Sequence, residues 1–198
     1  MDKALKHFKK VDLVLYEIGL KIEPLEFEKS NDYFVSLTRE IIGQQLSGKV
    51  ADVIFERFKD LFPKKKITAR YLLTIPDQRL RDVGTSWGKV SFLKDLAEKV
   101  SGGEVDLKTI DNLENEKVTE LLLKIKGVGP WTAEMFLMFA LQRPDVFSTG
   151  DLGLQNAIIK LYKLKDKPSH NKLLEISAKW SPHRTIASRI LWRSLELK

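Results

Sequence analysis

The stretch LLLKIKGVGPWTAEMFLMFALQRPDVFSTGD, residues 121–151, decides the fold, because each half of it demands a particular backbone. The spacing predicts a helix over 117–125 that ends at Ile125, after which KGVG reverses the chain before Pro130 opens the next helix. Gly127 supplies a residue able to take φ > 0 at the helix C-cap, and Gly129 lacks the Cβ that would hold another backbone away. Pro130 presets the first helical position without wasting a donor. The amides of residues 127–131 would then point outward from a helix N-terminus, an arrangement that accepts anions. A plain helix–turn–helix packing element with a glycine C-cap would use the same residues. What distinguishes this hairpin is the helix behind it. Trp131, Met135, Phe136, Leu137, Met138 and Phe139 make that helix apolar nearly all round, which predicts a course through the middle of the protein.

The loop RPDVFSTG then delivers Asp151 to the start of LGLQNAIIKLY, a helical stretch whose apolar positions begin at Leu152. Asp is among the best N-caps, and a carboxylate is stabilised at the positive end of a helix.

Outward from this segment the chain keeps a helical period. Leu5, Phe8, Val11, Leu15 and Ile18 step by three and four as one helix face. Phe34, Leu37 and Ile41 form a second stripe, and Val50, Val53, Ile54, Phe58 and Leu61 a third. Val90, Leu93, Leu96, Ala97 and Val100 follow, then Leu173, Leu174, Ile176 and Ala178. Ser47, Thr68, Ser86, Asp111, Ser169 and Ser181 sit where N-caps belong, with Pro182 at N1 after the last. No stretch alternates with period two between turn signals, so the expected fold is all-α, with roughly ten short helices. The breaks at PKKK (63–66) and SGGEVD (101–106) are too short for linkers, and residues 1–198 read as one domain of two helical lobes with a cleft near 121–151.

The 198 residues carry 34 Lys and Arg against 27 Asp and Glu, a net charge of +7 that suits a polyanionic partner and equally suits simple solubility. The absence of cysteine excludes disulfides, thiolate zinc sites, a cysteine nucleophile and iron–sulfur clusters. Charges throughout residues 1–20 argue against a signal peptide or membrane span, so a soluble intracellular protein is expected, with a monomer as the default. His7, His170 and His183 form no ligand-spaced pair and read as structural or surface residues.

IKGVGPWTAEMFL, followed by a loop and Asp151, resembles the helix–hairpin–helix motif, Gly/Pro-rich loop and aspartate of the helix–hairpin–helix (HhH-GPD) superfamily of DNA glycosylases. LTREIIGQQLSGKVA (37–51), VGTSWGKVSFLKDLA (83–97) and WSPHRTIASRILWRSLE (180–196) are similar to the 3-methyladenine DNA glycosylase II branch. The resemblance runs from about residue 30 onward and is to the compact form of that branch, without an N-terminal β-rich domain.

The resemblance implies a monofunctional enzyme that flips alkylated purines out of duplex DNA and hydrolyses the N-glycosidic bond, with Asp151 as the catalytic carboxylate. As the base leaves, the sugar gains oxocarbenium character that an anion stabilises, and a water must be oriented. Neutral leaving groups usually need a second carboxyl as acid. No partner is evident in this segment, where Glu134 lies at a helix start and Asp145 early in the loop; a base made cationic by methylation needs none.

Trp131 occupies a position resembling the Schiff-base lysine of the superfamily's lyases, so no lyase activity is expected, and its indole either stacks on a cationic base or belongs to the core. Lys126, where the family more often has proline, and Lys124 keep a lyase alternative open but point first to phosphates. The loop of Gln44, Gln45, Leu46 and Ser47 resembles the family's minor-groove probe, with Leu46 a possible wedge or an inward-packing residue. TSWGK (85–89) offers Lys89 to phosphate, while Trp87 either lies on DNA, lines the base pocket or packs. The resemblance further implies a Na+ or K+ ion on the main-chain carbonyls of Leu123, Ile125 and Val128, with no required cofactor. Two other readings stand beside this one: a non-catalytic helix–hairpin–helix DNA-binding module, and a glycosylase for other damaged bases.

Overall fold

Asp12 divides what the sequence presents as one amphipathic helix. In the computed structural model, which describes residues 1–26 and 28–197, α1 (Asp2–Val11) stops there and α2 (Leu13–Gly19) restarts with the Asp12 carboxylate capping the Leu15 amide at 3.2 Å. Phe8 and Leu15 are buried as expected, whereas Val11 is exposed because the break turns it outward.

All regular structure among the described residues is helical: α3 (Tyr33–Gly43), α4 (Gly48–Lys59), α5 (Ala69–Thr74), α6 (Asp77–Asp82), α7 (Trp87–Ser101), α8 (Asn115–Leu122), α9 (Pro130–Met135), α10 (Leu152–Tyr162), α11 (His170–Ala178) and α12 (Arg184–Ser194). Short 3-10 turns at Pro63–Lys65 and Ile110–Asn112 complete the set, and α9 runs on into a π-helical turn over Phe136–Ala140. None of these helices is long and apolar enough to cross a membrane.

The chain divides into two compact units, one made of residues 1–28 and 142–198, the other of residues 29–141. In the first, Phe8, Leu15, Leu154, Ile158, Leu173, Trp180 and Ile190 form the core. Its α11 buries Leu173, Ser177 and Trp180 just beyond it, not the expected Leu174 and Ala178, which face outward. In the second, α5 and α6 pack on α7, α3 packs on α4 and α7, and α8 packs on α9. Phe34, Leu37 and Ile41 of α3 are buried as their spacing predicts, as are Val90, Leu93, Leu96 and Ala97 of α7. On α4 the buried face is Ile54, Phe55 and Phe58, so Val50 and Val53 stand exposed although the stripe includes them.

Three expected caps differ in the structure. Ser47 occupies the N-cap of α4 without a side-chain hydrogen bond. Asp111 lies inside the 110–112 turn, where it accepts from the Tyr33 hydroxyl and pairs with Lys29. Ser181 precedes a cis peptide to Pro182, and α12 begins only at Arg184, since the Ser181 hydroxyl donates to Asp145 at 2.7 Å instead. Thr68, Ser86 and Ser169 cap as expected.

Candidate active site

In the 29–141 unit, the hairpin is built on α7. α8 closes at Leu122, three residues earlier than the periodicity suggests, and Gly127 then takes φ +78°. A Cβ at Gly127 would overlap the Phe92 ring, so this glycine serves both a left-handed backbone and a close approach. A Cβ at Gly129 would meet nothing within 4 Å, leaving open space beside the start of α9. Asp95 accepts from the Lys126 amide at 2.7 Å, and Lys99 joins Asp95 to the Lys124 carbonyl at 3.0 and 2.5 Å. The Lys126 ammonium donates to Ser91 at 3.0 Å, so this lysine is tethered along α7 within an exposed surface. Val128 donates its amide to the Ile125 carbonyl at 3.1 Å. That carbonyl retains a second lone pair. Among the described residues no group of three or more His, Cys, Asp or Glu is arranged for a metal.

The 44–47 loop is tied to the same hairpin. Gln44 donates its amide nitrogen to the Gly127 carbonyl at 2.9 Å and to Thr132 Oγ1 at 3.3 Å, so it braces the hairpin and its side chain does not stand ready for base edges. Lys89 is likewise committed: its ammonium donates to the carbonyls of Ile42 and Gln44 at 2.8 and 2.7 Å, closing the C-terminus of α3. Burial lowers its pKa. The amine expected at phosphate is thus engaged by two orphan carbonyls at the end of α3. The tip itself falls to Gln45, at φ +58°, and to Leu46, both exposed, with Ser47 behind them. Trp87, in the first turn of α7, is 57% exposed, and Trp131 39%; Met135, Phe136, Leu137 and Met138 are buried. The helix behind the hairpin is thus a core element with an indole at its outer end, not a helix buried all round.

In the other unit, Asp151 is 8% exposed and opens α10. Its Oδ1 accepts from the Leu154 amide at 2.7 Å and from Trp192 Nε1 at 2.9 Å. Gly153 makes this approach feasible, because a Cβ there would lie 3.0 Å from Trp192 Cδ1 and 3.1 Å from Asp151 Oδ1. The loop that carries Asp151 is pinned at its base. Asp145 accepts from Arg184 at 2.7 and 3.0 Å, and Thr185 bonds the Arg143 carbonyl at 2.6 Å and the Val146 amide at 3.1 Å. Burial pushes the Asp145 carboxyl up, but hydrogen bonds from Arg184 and Ser181 outweigh it and leave the pKa below its usual value. Asp145 is therefore a structural clamp. Arg184 and Trp192 of the last helix, which the sequence presents as a packing element, are the residues that organise this loop. Their link to 143–151 spans about forty residues of chain and has no local sequence signature.

Comparison with known proteins adds an independent view. Residues 38–183 match the family model of the HhH-GPD superfamily base excision DNA repair proteins. DNA-3-methyladenine glycosylase 1 of Schizosaccharomyces pombe is 35% identical over 172 residues, covering 86% of this chain and 75% of that protein. The solved structure of the S. pombe 3-methyladenine DNA glycosylase in complex with abasic DNA superposes with a TM-score of 0.89 at 31% identity, over 98% of this chain and 97% of that one. A DNA-3-methyladenine glycosidase from Bacillus halodurans gives a TM-score of 0.83 at 33% identity, over 98% and 89%.

Proposed function

The chain belongs to the HhH-GPD superfamily of base excision DNA repair proteins, and on that premise we propose that it is a monofunctional glycosylase that hydrolyses alkylated purines of the 3-methyladenine and 7-methylguanine type from duplex DNA. The observation that carries this reading is Asp151, a carboxylate held at a helix N-terminus by two hydrogen bonds on one oxygen. A pure DNA-binding module gains nothing from such a group beside phosphates.

The reaction follows from the parts. The hairpin amides around Gly127 and Gly129 hold a backbone phosphate, with Lys126 adding charge. Gln45 and Leu46, at the tip of a loop braced by Gln44 and Lys89, fill the gap left by the extruded nucleotide, whose unstacking costs a few kcal/mol. The Trp131 indole stacks on the cationic base, a contact worth about 0.5–2 kcal/mol, and exposed Trp87 lies against the DNA. As the C1′–N bond breaks, its electrons neutralise the positive purine, and the Asp151 carboxylate stabilises the oxocarbenium sugar while orienting a water to C1′. Trp131 offers no amine for a Schiff base, so no lyase step follows. A Na+ or K+ ion on the carbonyls of Leu123, Ile125 and Val128 would add positive charge at the hairpin. The partner is double-stranded DNA, bound by a monomer.

Release of free methylated bases from alkylated duplex DNA tests this, comparing the native protein with Asp151→Asn. The native protein should release them and the variant should fall by at least about two orders of magnitude while retaining DNA binding. Equal release by both would remove Asp151 from the chemistry. Binding without release by either would favour the binding-module reading or another damaged base.

A further inference from the structure

Gln155 lies on α10 one turn beyond Asp151 and is 8% exposed, although the reaction above gives it no part. Its Nε2 donates to the Thr149 carbonyl at 2.8 Å. A carbonyl can only accept, so this bond fixes which end of the side-chain amide is nitrogen and leaves Oε1 on the other side. Among the described residues no donor reaches Oε1, which is closed to solvent. A buried acceptor of this kind costs stability, and an apolar side chain of the same length would avoid that cost. Stability alone therefore does not account for a glutamine at this position.

What the amide holds is a peptide with two orientations open to it. The Asp151 amide donates to the Ser148 carbonyl at 3.4 Å, closing a turn with Thr149 and Gly150 at its centre. The two commonest β-turn types differ by a flip of the peptide between the central residues, and one of them requires φ > 0 at the second. Gly150 lies outside that region here, yet as a glycine it can enter it without a Cβ penalty. Gln155 grips the carbonyl of this same peptide, and its own backbone amide holds the Asp151 carbonyl at 3.0 Å just beyond. The braces at Asp145 and Thr185 act earlier, on residues 143–146, before the chain enters the turn.

We propose that Gln155 is a positioning residue for base release: it locks the Thr149–Gly150 peptide in one orientation and thereby aims the Asp151 carboxylate. The inference rests on the glycosylase reading. A flip of that peptide turns the backbone immediately ahead of Asp151 and carries the carboxylate off its line to C1′, and a displacement of about 1 Å can cost about 10²-fold in rate. Gln155 acts through Asp151 and makes no bond to the sugar or the base.

The test is release of 7-methylguanine from alkylated duplex DNA, together with thermal unfolding, for the native protein, Gln155→Met, Gly150→Ala and the double variant. Gln155→Met should lower kcat by about tenfold or more with KM close to native. Its melting temperature should stay near native, because the oxygen without a donor is removed along with the hydrogen bond. A Cβ at position 150 meets nothing within 4 Å but bars positive φ. Gly150→Ala should therefore restore kcat by about threefold or more in the Gln155→Met background, relative to its effect on the native protein. Gln155→Glu, equal in length but with no N–H to offer, should show the same loss and carries the test if Gln155→Met does not fold. A kcat unchanged by loss of the Gln155 amide, a loss confined to KM, or a double variant no faster than Gln155→Met would each overturn this role alone. A native protein that releases no 7-methylguanine would overturn the glycosylase reading and this role with it.

Discussion

Trp192 Nε1 donates to Asp151 Oδ1 at 2.9 Å, onto the oxygen that also accepts the Leu154 amide at 2.7 Å. The two donors arrive from different helices, α12 and α10, so this oxygen is held from two sides. Pre-set geometry of this kind costs no reorganisation when charge develops on the sugar.

Removing the indole donor while keeping an aromatic ring isolates this contribution. Trp192→Phe should lower kcat by one to two orders of magnitude, since a hydrogen bond to a charged group is worth about 1.5–3 kcal/mol, with little change in KM. Gly153→Ala should act on the same contact from the other side by displacing Trp192, lowering kcat while thermal stability stays close to native. A KM effect without a kcat effect in both variants would show that Trp192 does not position Asp151.

Gly127 meets two demands at once, and they can be separated. Gly127→Ala should destabilise the protein by about 2–4 kcal/mol, from left-handed strain together with overlap on Phe92. Adding Phe92→Ala should relieve the overlap but not the φ of +78°, recovering stability relative to Gly127→Ala only in part once the cost of the lost ring is subtracted. Denaturant unfolding of the double-mutant cycle gives both numbers. Full additivity would mean that the ring and the glycine do not meet.

Lys89 should behave as a structural residue despite its place at a basic helix start. Lys89→Met removes the donor to the Ile42 and Gln44 carbonyls and should lower the melting temperature. The slope of log K for DNA against log salt should stay unchanged, whereas loss of a phosphate contact would reduce it by about 0.9. A slope change of that size would return Lys89 to the DNA interface.

Asp12 makes the stability of the 1–28 and 142–198 unit sensitive to acid. Burial pushes its carboxyl up, but hydrogen bonds from Tyr162 at 2.6 Å, Trp180 at 2.8 Å and Lys179 at 3.0 Å, with the Leu15 amide, outweigh burial and leave the folded pKa below the ordinary value. The unfolded chain therefore binds a proton first as pH falls, and the stabilisation is full above about pH 4 and lost on acidification through the folded value. Asp12→Ala should cost about 3 kcal/mol at neutral pH, where Tyr162 and Trp180 are left without their acceptor, and the difference from native should shrink below pH 4. A difference independent of pH would assign the cost to packing alone.

The sequence by itself determined the helical class, the hairpin with Gly127 at positive φ and Pro130 at N1, and Asp151 as an N-cap, because each of these depends on residues within one or two turns. The period-3.6 stripes could not show that Asp12 would split the first helix, that Val50 and Val53 would face outward, or that α9 would pass into a π turn carrying Phe139. Those outcomes were decided by what packs against each segment. Tertiary structure alone assigned Gln44 and Lys89 to the hairpin and the end of α3, and joined Trp192 to Asp151. A lone amide, ammonium or carboxyl finds its partner through space, and the chain between the two carries no period that records it.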